Sequence, residues 1–133
     1  MKKSSPRIYY FLLILCIEKV VQHIYVTYAF ATDIDTIRTD VVFDYRIFMY
    51  SGMIIALGFF FSAYGILKEQ KWSLNLLWIL GWTDFVGEFI AQGGRLQFVP
   101  LSYLLAIVII IIVPIYKHRI NRFRSQEDLI ENS

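Results

Sequence analysis

Seven side chains able to move protons or hold cations sit in segments otherwise built of hydrocarbon. Glu18, Lys19, Gln22 and His23 interrupt one apolar run, and Asp84, Glu88 and Gln92 recur every four residues in another. At about 100° per residue the last three fall, with Gly81, within an arc of about 80° on one helix face. Carboxylates, an ammonium and an imidazole at membrane depth are, by default, candidates for ion binding or proton relay. Their chemistry depends on the elements that carry them.

A helix needs about 20 apolar residues to cross the roughly 30 Å hydrocarbon core of a bilayer. Four segments meet that length, at about residues 8–30, 47–67, 72–92 and 99–116, with a basic tail over 117–133. Apolar residues make up 57% of the 133-residue chain and charged residues 18%, against about 45–50% and 25% in soluble domains. Aromatic residues cluster near the ends of the runs, where their amphipathic rings suit the headgroup layer. The expected fold is therefore all-α: a single membrane domain forming a left-handed four-transmembrane-helix bundle.

Basic residues set the orientation. Lys2, Lys3, Arg7, Lys68, Lys71, Lys117, Arg119, Arg122 and Arg124 lie on one side, against Arg38, Arg46 and Arg95 on the other. That asymmetry places the amino terminus, the carboxyl terminus and the second connection in the cytoplasm. A rival reading of the start is a signal peptide, with a basic head, the apolar run 8–17 and Ala29-Phe30-Ala31 as a small-residue cleavage site. Glu18 and Lys19 follow the apolar run directly and leave too long a stretch before those alanines, which favours a retained span.

The first span is marginal alone. Two charged residues at mid-bilayer cost about 5–7 kcal/mol together, and its twelve Ile, Leu, Val and Phe residues return about 4–7 kcal/mol. It needs partners inside the protein, and the third span offers them at matching depth. The expected arrangement places spans one and three side by side with two rungs, Glu18 and Lys19 with Asp84, and Gln22 and His23 with Glu88. Three carboxylates then face one ammonium. With His23 neutral the excess of two negative charges must be relieved by a protonated acid, a charged His23 or a bound cation.

The other spans read as structural. Ser51, Gly58, Ser62 and Gly65 form a stripe of small residues on the second span, suited to close helix packing or, alternatively, to lining a pore. Ser102 and Ala106 give the fourth span one small contact, and its isoleucine run is expected to face lipid. Trp78 and Trp82 are packing residues or, alternatively, a cage for an organic cation. The acidic first connection, with Asp33, Asp35, Asp40 and Asp44, is a solvated loop or a vestibule that concentrates cations. Gly93-Gly94 and Pro100 mark a helix stop and a helix start. The basic tail is expected to rest on the anionic inner leaflet.

Several chemistries are excluded by pattern. The one cysteine, Cys16, cannot form an internal disulfide. His23 and His118 lie toward opposite faces, no metal-ligand spacing or phosphate loop is present, and a net charge of +2 is too small to imply nucleic acid. No cofactor or metal is expected. Four short helices with Glu18 central in the first resemble, in architecture, the small multidrug resistance transporters. The long first connection, Lys19 and the acids of the third span are not that family's pattern, and no residue role is carried over from it.

The expected function is a small carrier or channel-like protein handling protons or a cationic solute. Glu18, Asp84 and Glu88 would bind the cation, with Lys19, Gln22, His23 and Gln92 tuning or relaying. A non-catalytic accessory subunit that docks a larger membrane protein is the first alternative. An intramembrane lipid-modifying or lipid-binding protein, with His23 and Glu88 as acid and base, is the second. Its partners are the bilayer, further copies of the chain or another membrane subunit, and a small cation or proton. A reporter fused after Ser133 should read cytoplasmic and one inserted between Thr36 and Asp40 external; the reverse pattern overturns the orientation.

Overall fold

The computed structural model describes residues 6–93 and 101–133. It is all-helical, with no strand among these residues. Four helices, α1 (Pro6–Thr32), α2 (Tyr45–Leu67), α3 (Lys71–Ala91) and α4 (Leu101–Glu131), are each long and apolar enough to cross a membrane. Their outward faces carry large apolar side chains such as Ile14, Val21, Ile54, Phe60, Ile79 and Ile111, a surface suited to lipid rather than water.

The helices form a ring in which α1 meets α2, α2 meets α3, α3 meets α4 and α4 closes on α1. Helices α1 and α3 therefore sit diagonally. The sequence-based expectation that they lie side by side is corrected: only side chains long enough to cross the bundle axis join them.

The apolar core occupies one half of the bundle. Leu12, Leu15 and Cys16 of α1 pack with Phe59 and Ile66 of α2, Leu74 and Leu77 of α3, and Ile109 and Val113 of α4. These residues belong to the end where α1 begins and α4 runs out. Small residues draw the helices together there. A methyl group added at Gly58 would lie 2.8 Å from the Leu80 side chain, and one at Gly65 2.6 Å from Ser73 Cβ. Ser62 is fully buried between them. This stripe packs α2 on α3, whereas Ser51 turns toward a cavity described below.

The first and second connections are built, not merely tethered. Glu69, with φ 55°, makes the tight turn from α2 to α3, and the Gln70 N–H donates to the Gly65 carbonyl at 2.8 Å. The first connection holds a kinked 3-10 segment, Ile34–Thr39, in which Asp35 and Thr36 are left-handed. Asp tolerates that region and a β-branched Thr does so at a cost. Arg38 secures the segment. Its Nε donates to the Phe30 carbonyl at 2.8 Å and a terminal nitrogen to the Ala31 carbonyl at 2.9 Å, satisfying two orphan carbonyls at the end of α1. The same guanidinium stacks 4.2 Å over the Tyr45 ring. At the far side Gly93, with φ +70°, ends α3 where Val42 of the first connection approaches to 2.8 Å of the missing Cβ. The first connection is thus folded over the end of α3.

Helix α4 continues to Glu131, past Tyr116 where the sequence reading ends the span. At 1.5 Å per residue it is about 46 Å long, longer than a roughly 30 Å hydrocarbon core. The Lys, Arg, Gln and Glu residues of the tail are good helix formers, so the helix persists after its apolar face stops. Gly94 and Pro100, read as stop and start signals, lie outside the described residues.

The two glycines of α2 should respond differently to a methyl group. Gly65→Ala meets the Cβ of Ser73, which moves only with the backbone, and should cost about 1–3 kcal/mol. Gly58→Ala meets the tip of a flexible Leu80 and should cost less. Denaturant unfolding in detergent tests the ranking, and equal stabilities would overturn the close-packing account.

Candidate functional site

Lys19 is the centre of the polar cluster. It lies on the inward face of α1, one turn beyond Leu15 and Cys16, and is 0% exposed. Its ammonium donates to Asp84 Oδ2 on α3 at 2.5 Å, to the Ser102 carbonyl and hydroxyl on α4 at 2.7 and 3.0 Å, and to Gln22 Oε1 at 3.2 Å. An ammonium has three protons, so four acceptors saturate it. A buried charge satisfied in this way is tolerable in hydrocarbon; one left unpaired is not. One side chain thereby ties α1 to both α3 and α4. The join is tightened locally by Phe85 of α3 stacking on Tyr103 of α4, with ring centroids 4.6 Å apart.

Ser102 was the residue that sequence reasoning missed. Its small size at four-residue spacing from Ala106 signalled packing and nothing more. Its carbonyl, near the start of α4, becomes an acceptor only once the fold is known.

The second rung differs from the expected one. Gln22 bonds Lys19, not Glu88. His23 stands beside Asp84, with Nε2 3.1 Å from Oδ1, yet the two are misaligned and Nε2 has no hydrogen-bond partner. The imidazole stacks on Phe59 with centroids 5.9 Å apart. Its other nitrogen faces Gly52, where an added Cβ would lie 3.9 Å from Nδ1. Glu88 accepts from Gln92 Nε2 at 3.0 Å. Glu18 takes no part in this network. It is half-buried on the α1 stripe that also carries the exposed Ile14, Val21 and Tyr25, and one of its oxygens is buried without a partner.

A cavity of about 310 Å³ lies beyond the apolar core, among α1, α2, α3 and the first connection. Asp84 and His23 form its floor. Glu88 and Gln92 line one wall, Ser51, Gly52 and Ile55 another, and Ile37, Asp40 and Val41 of the first connection its mouth. Asp40 is exposed there. The remaining lining is apolar, including Val26, Phe30 and Phe48. Among the described residues that line it, three are acids, one is histidine, and none is lysine or arginine. Trp78 and Trp82 pair edge to face at 6.3 Å on the outer side of α3 and do not line it. No group of three metal-ligating side chains occurs among the described residues.

Breaking the central pair should be expensive and repairable. Asp84→Leu leaves the ammonium of Lys19 short of its counter-charge and should destabilise the protein by about 3–5 kcal/mol, while adding Lys19→Leu should recover a large part of it. Unfolding of both variants measures this, and a double variant no more stable than the single would show that the pair does not hold the bundle. Comparison of the chain with protein-family models, with curated proteins and with solved structures finds no match, so the roles of these residues rest on their own geometry.

Proposed function

We propose that the chain is a small membrane carrier that accepts a cation or a proton in the cavity above Asp84. The observation that carries this reading is the charge of the cavity. Lys19 already compensates Asp84, so among the described residues Glu88 has only the amide of Gln92 against its negative charge. An uncompensated carboxylate in a largely apolar cavity favours a cation or a proton. With the termini in the cytoplasm, as the basic residues argue, the cavity mouth faces outward and Asp40 and its acidic neighbours form a vestibule that attracts cations.

One observation favours a second reading. The partly exposed Glu18, on a lipid-facing stripe of α1 with Ile14, Val21 and Tyr25, is placed to meet a basic side chain of another membrane subunit. In that reading the protein is a non-catalytic accessory subunit and Glu18 its anchor.

Proteoliposomes distinguish the two. Chain reconstituted with an entrapped pH dye should acidify the lumen, under an imposed inward proton gradient, faster than empty liposomes. Glu88→Gln should remove most of that rate and Glu18→Gln should leave it intact. Rates equal to those of empty liposomes would overturn proton transport, and if the chain also fails to take up a permeant organic cation the carrier reading falls and the accessory one stands.

A further inference from the structure

We infer that Gly87 is a glycine because the ligand, rather than another helix, fills the space beside it, and that this ligand is a protonated amine with a small hydrocarbon body. The inference rests on the cavity reading above and specifies what the cavity takes.

The helical glycines sort into two kinds. A Cβ at Gly52, Gly58, Gly65 or Gly81 would come within 3.2 Å of a neighbouring side chain, whereas one at Gly87 meets nothing within 4 Å. Four of the five are explained by close approach of another element. The fifth weakens the interior of α3 relative to alanine with no packing partner to account for it. Gly87 lines the cavity, between Asp84 and Glu88 in sequence and one turn from Ala91, which lines it too. The absent side chain leaves the cavity open.

The polar atoms of the same cavity state what is missing from it. Gln92 donates its Nε2 to Glu88. A carboxylate only accepts, so the orientation of the amide is fixed and Oε1 is the remaining acceptor. That oxygen is buried and has no partner among the described residues. A carboxylate and an orphaned amide oxygen on adjacent turns fit a cation that carries N–H bonds. A bare metal ion would leave the walls of Val26, Phe30, Phe48 and Ile55 without a purpose. A quaternary ammonium would satisfy the charge of Glu88 but offer no proton to Gln92 Oε1. A protonated amine does both, and its hydrocarbon lies against the apolar walls and the open side of Gly87. A cavity of about 310 Å³ is at the small end of ligand sites, which run from about 300 to 1,000 Å³.

Titration calorimetry of the purified full-length chain in detergent, with ethyl-, butyl- and hexylammonium and tetramethylammonium as probes, tests this. Butylammonium and tetramethylammonium have the same number of carbons, and the first should bind about tenfold more tightly because it retains its N–H bonds. Lengthening the alkyl chain should strengthen binding by up to about fourfold per methylene until the cavity is full. Glu88→Gln should weaken all the primary amines alike, which separates binding at the site from partition into detergent. Gly87→Val should abolish the gain from longer chains. Gly87→Ala, which meets no neighbour, guards against misfolding: it should melt no lower than the natural chain and shorten the tolerated alkyl chain. An unchanged chain-length profile in both Gly87 variants overturns the role of Gly87, and a shift in oligomeric state without a shift in amine binding assigns that face to a second copy instead. Equal affinity for tetramethylammonium overturns the amine assignment while leaving a cation site. Binding of no cationic probe to the natural chain brings down the proposed function itself.

Discussion

An ammonium buried at the centre of an apolar helix bundle must donate its three N–H bonds to acceptors, and that constraint organises this one. Lys19 meets it only where α3 brings Asp84 and α4 brings the Ser102 carbonyl and hydroxyl to one point. Because α1 and α3 are diagonal, the lysine stem must cross the bundle axis, which leaves no room for a bulky residue there. Small residues follow from this. Gly81 lets α4 approach α3, where an added Cβ would stand 2.9 Å from Ile109, and Ala106 is fully buried one turn below Ser102. On one side of the ammonium the bundle is dry and packed. On the other the acids and amides of α3 continue along the helix and the packing opens into a cavity.

The division has an electrostatic consequence. Pairing Lys19 with Asp84 uses the only lysine or arginine within the polar cluster among the described residues, so the remaining carboxylates, Glu18 and Glu88, have no hydrogen-bonded basic partner among those residues. Each is only half-buried, which lowers the cost but does not remove it. The two differ in what they face. Glu88 opens to a cavity whose mouth is acidic and whose walls are apolar, and Glu18 lies on the outer stripe of α1. A ligand can compensate the first and a neighbouring chain the second, so the two functional readings rest on two different residues and are not rivals for the same one.

Much of this was legible in the sequence, for physical reasons that also mark where it stopped being so. Helix positions followed from run length, since spanning requires an apolar length that few other structures share. Lys19 and Asp84 could be matched because helices running the same way through a slab let depth be counted in residues. Depth fixes height but not azimuth, and the second rung went astray on that account: His23 turns toward Asp84 and Phe59, and Gln22 turns back to Lys19. The ring order of helices is set by which faces approach most closely, and a stripe of small residues names a close face without naming its partner. Backbone acceptors are invisible to a reading of side-chain types, so Ser102 was read for its size alone. Arg38 was counted as a loop charge, and its task of capping α1 depends on a left-handed turn that Asp35 and Thr36 do not announce.

The glycines carry the same lesson to its useful end. From sequence alone Gly58, Gly65, Gly81 and Gly87 are alike, each a helix-weakening residue that some other gain must offset. In the folded chain the gain is visible for three of them as a side chain or helix lying where a Cβ would be. For Gly87 no atom of the described residues takes that place. On the proposed reading the compensating interaction is the ligand's, and the acid and the orphaned amide oxygen in the same wall give the chemistry that would supply it.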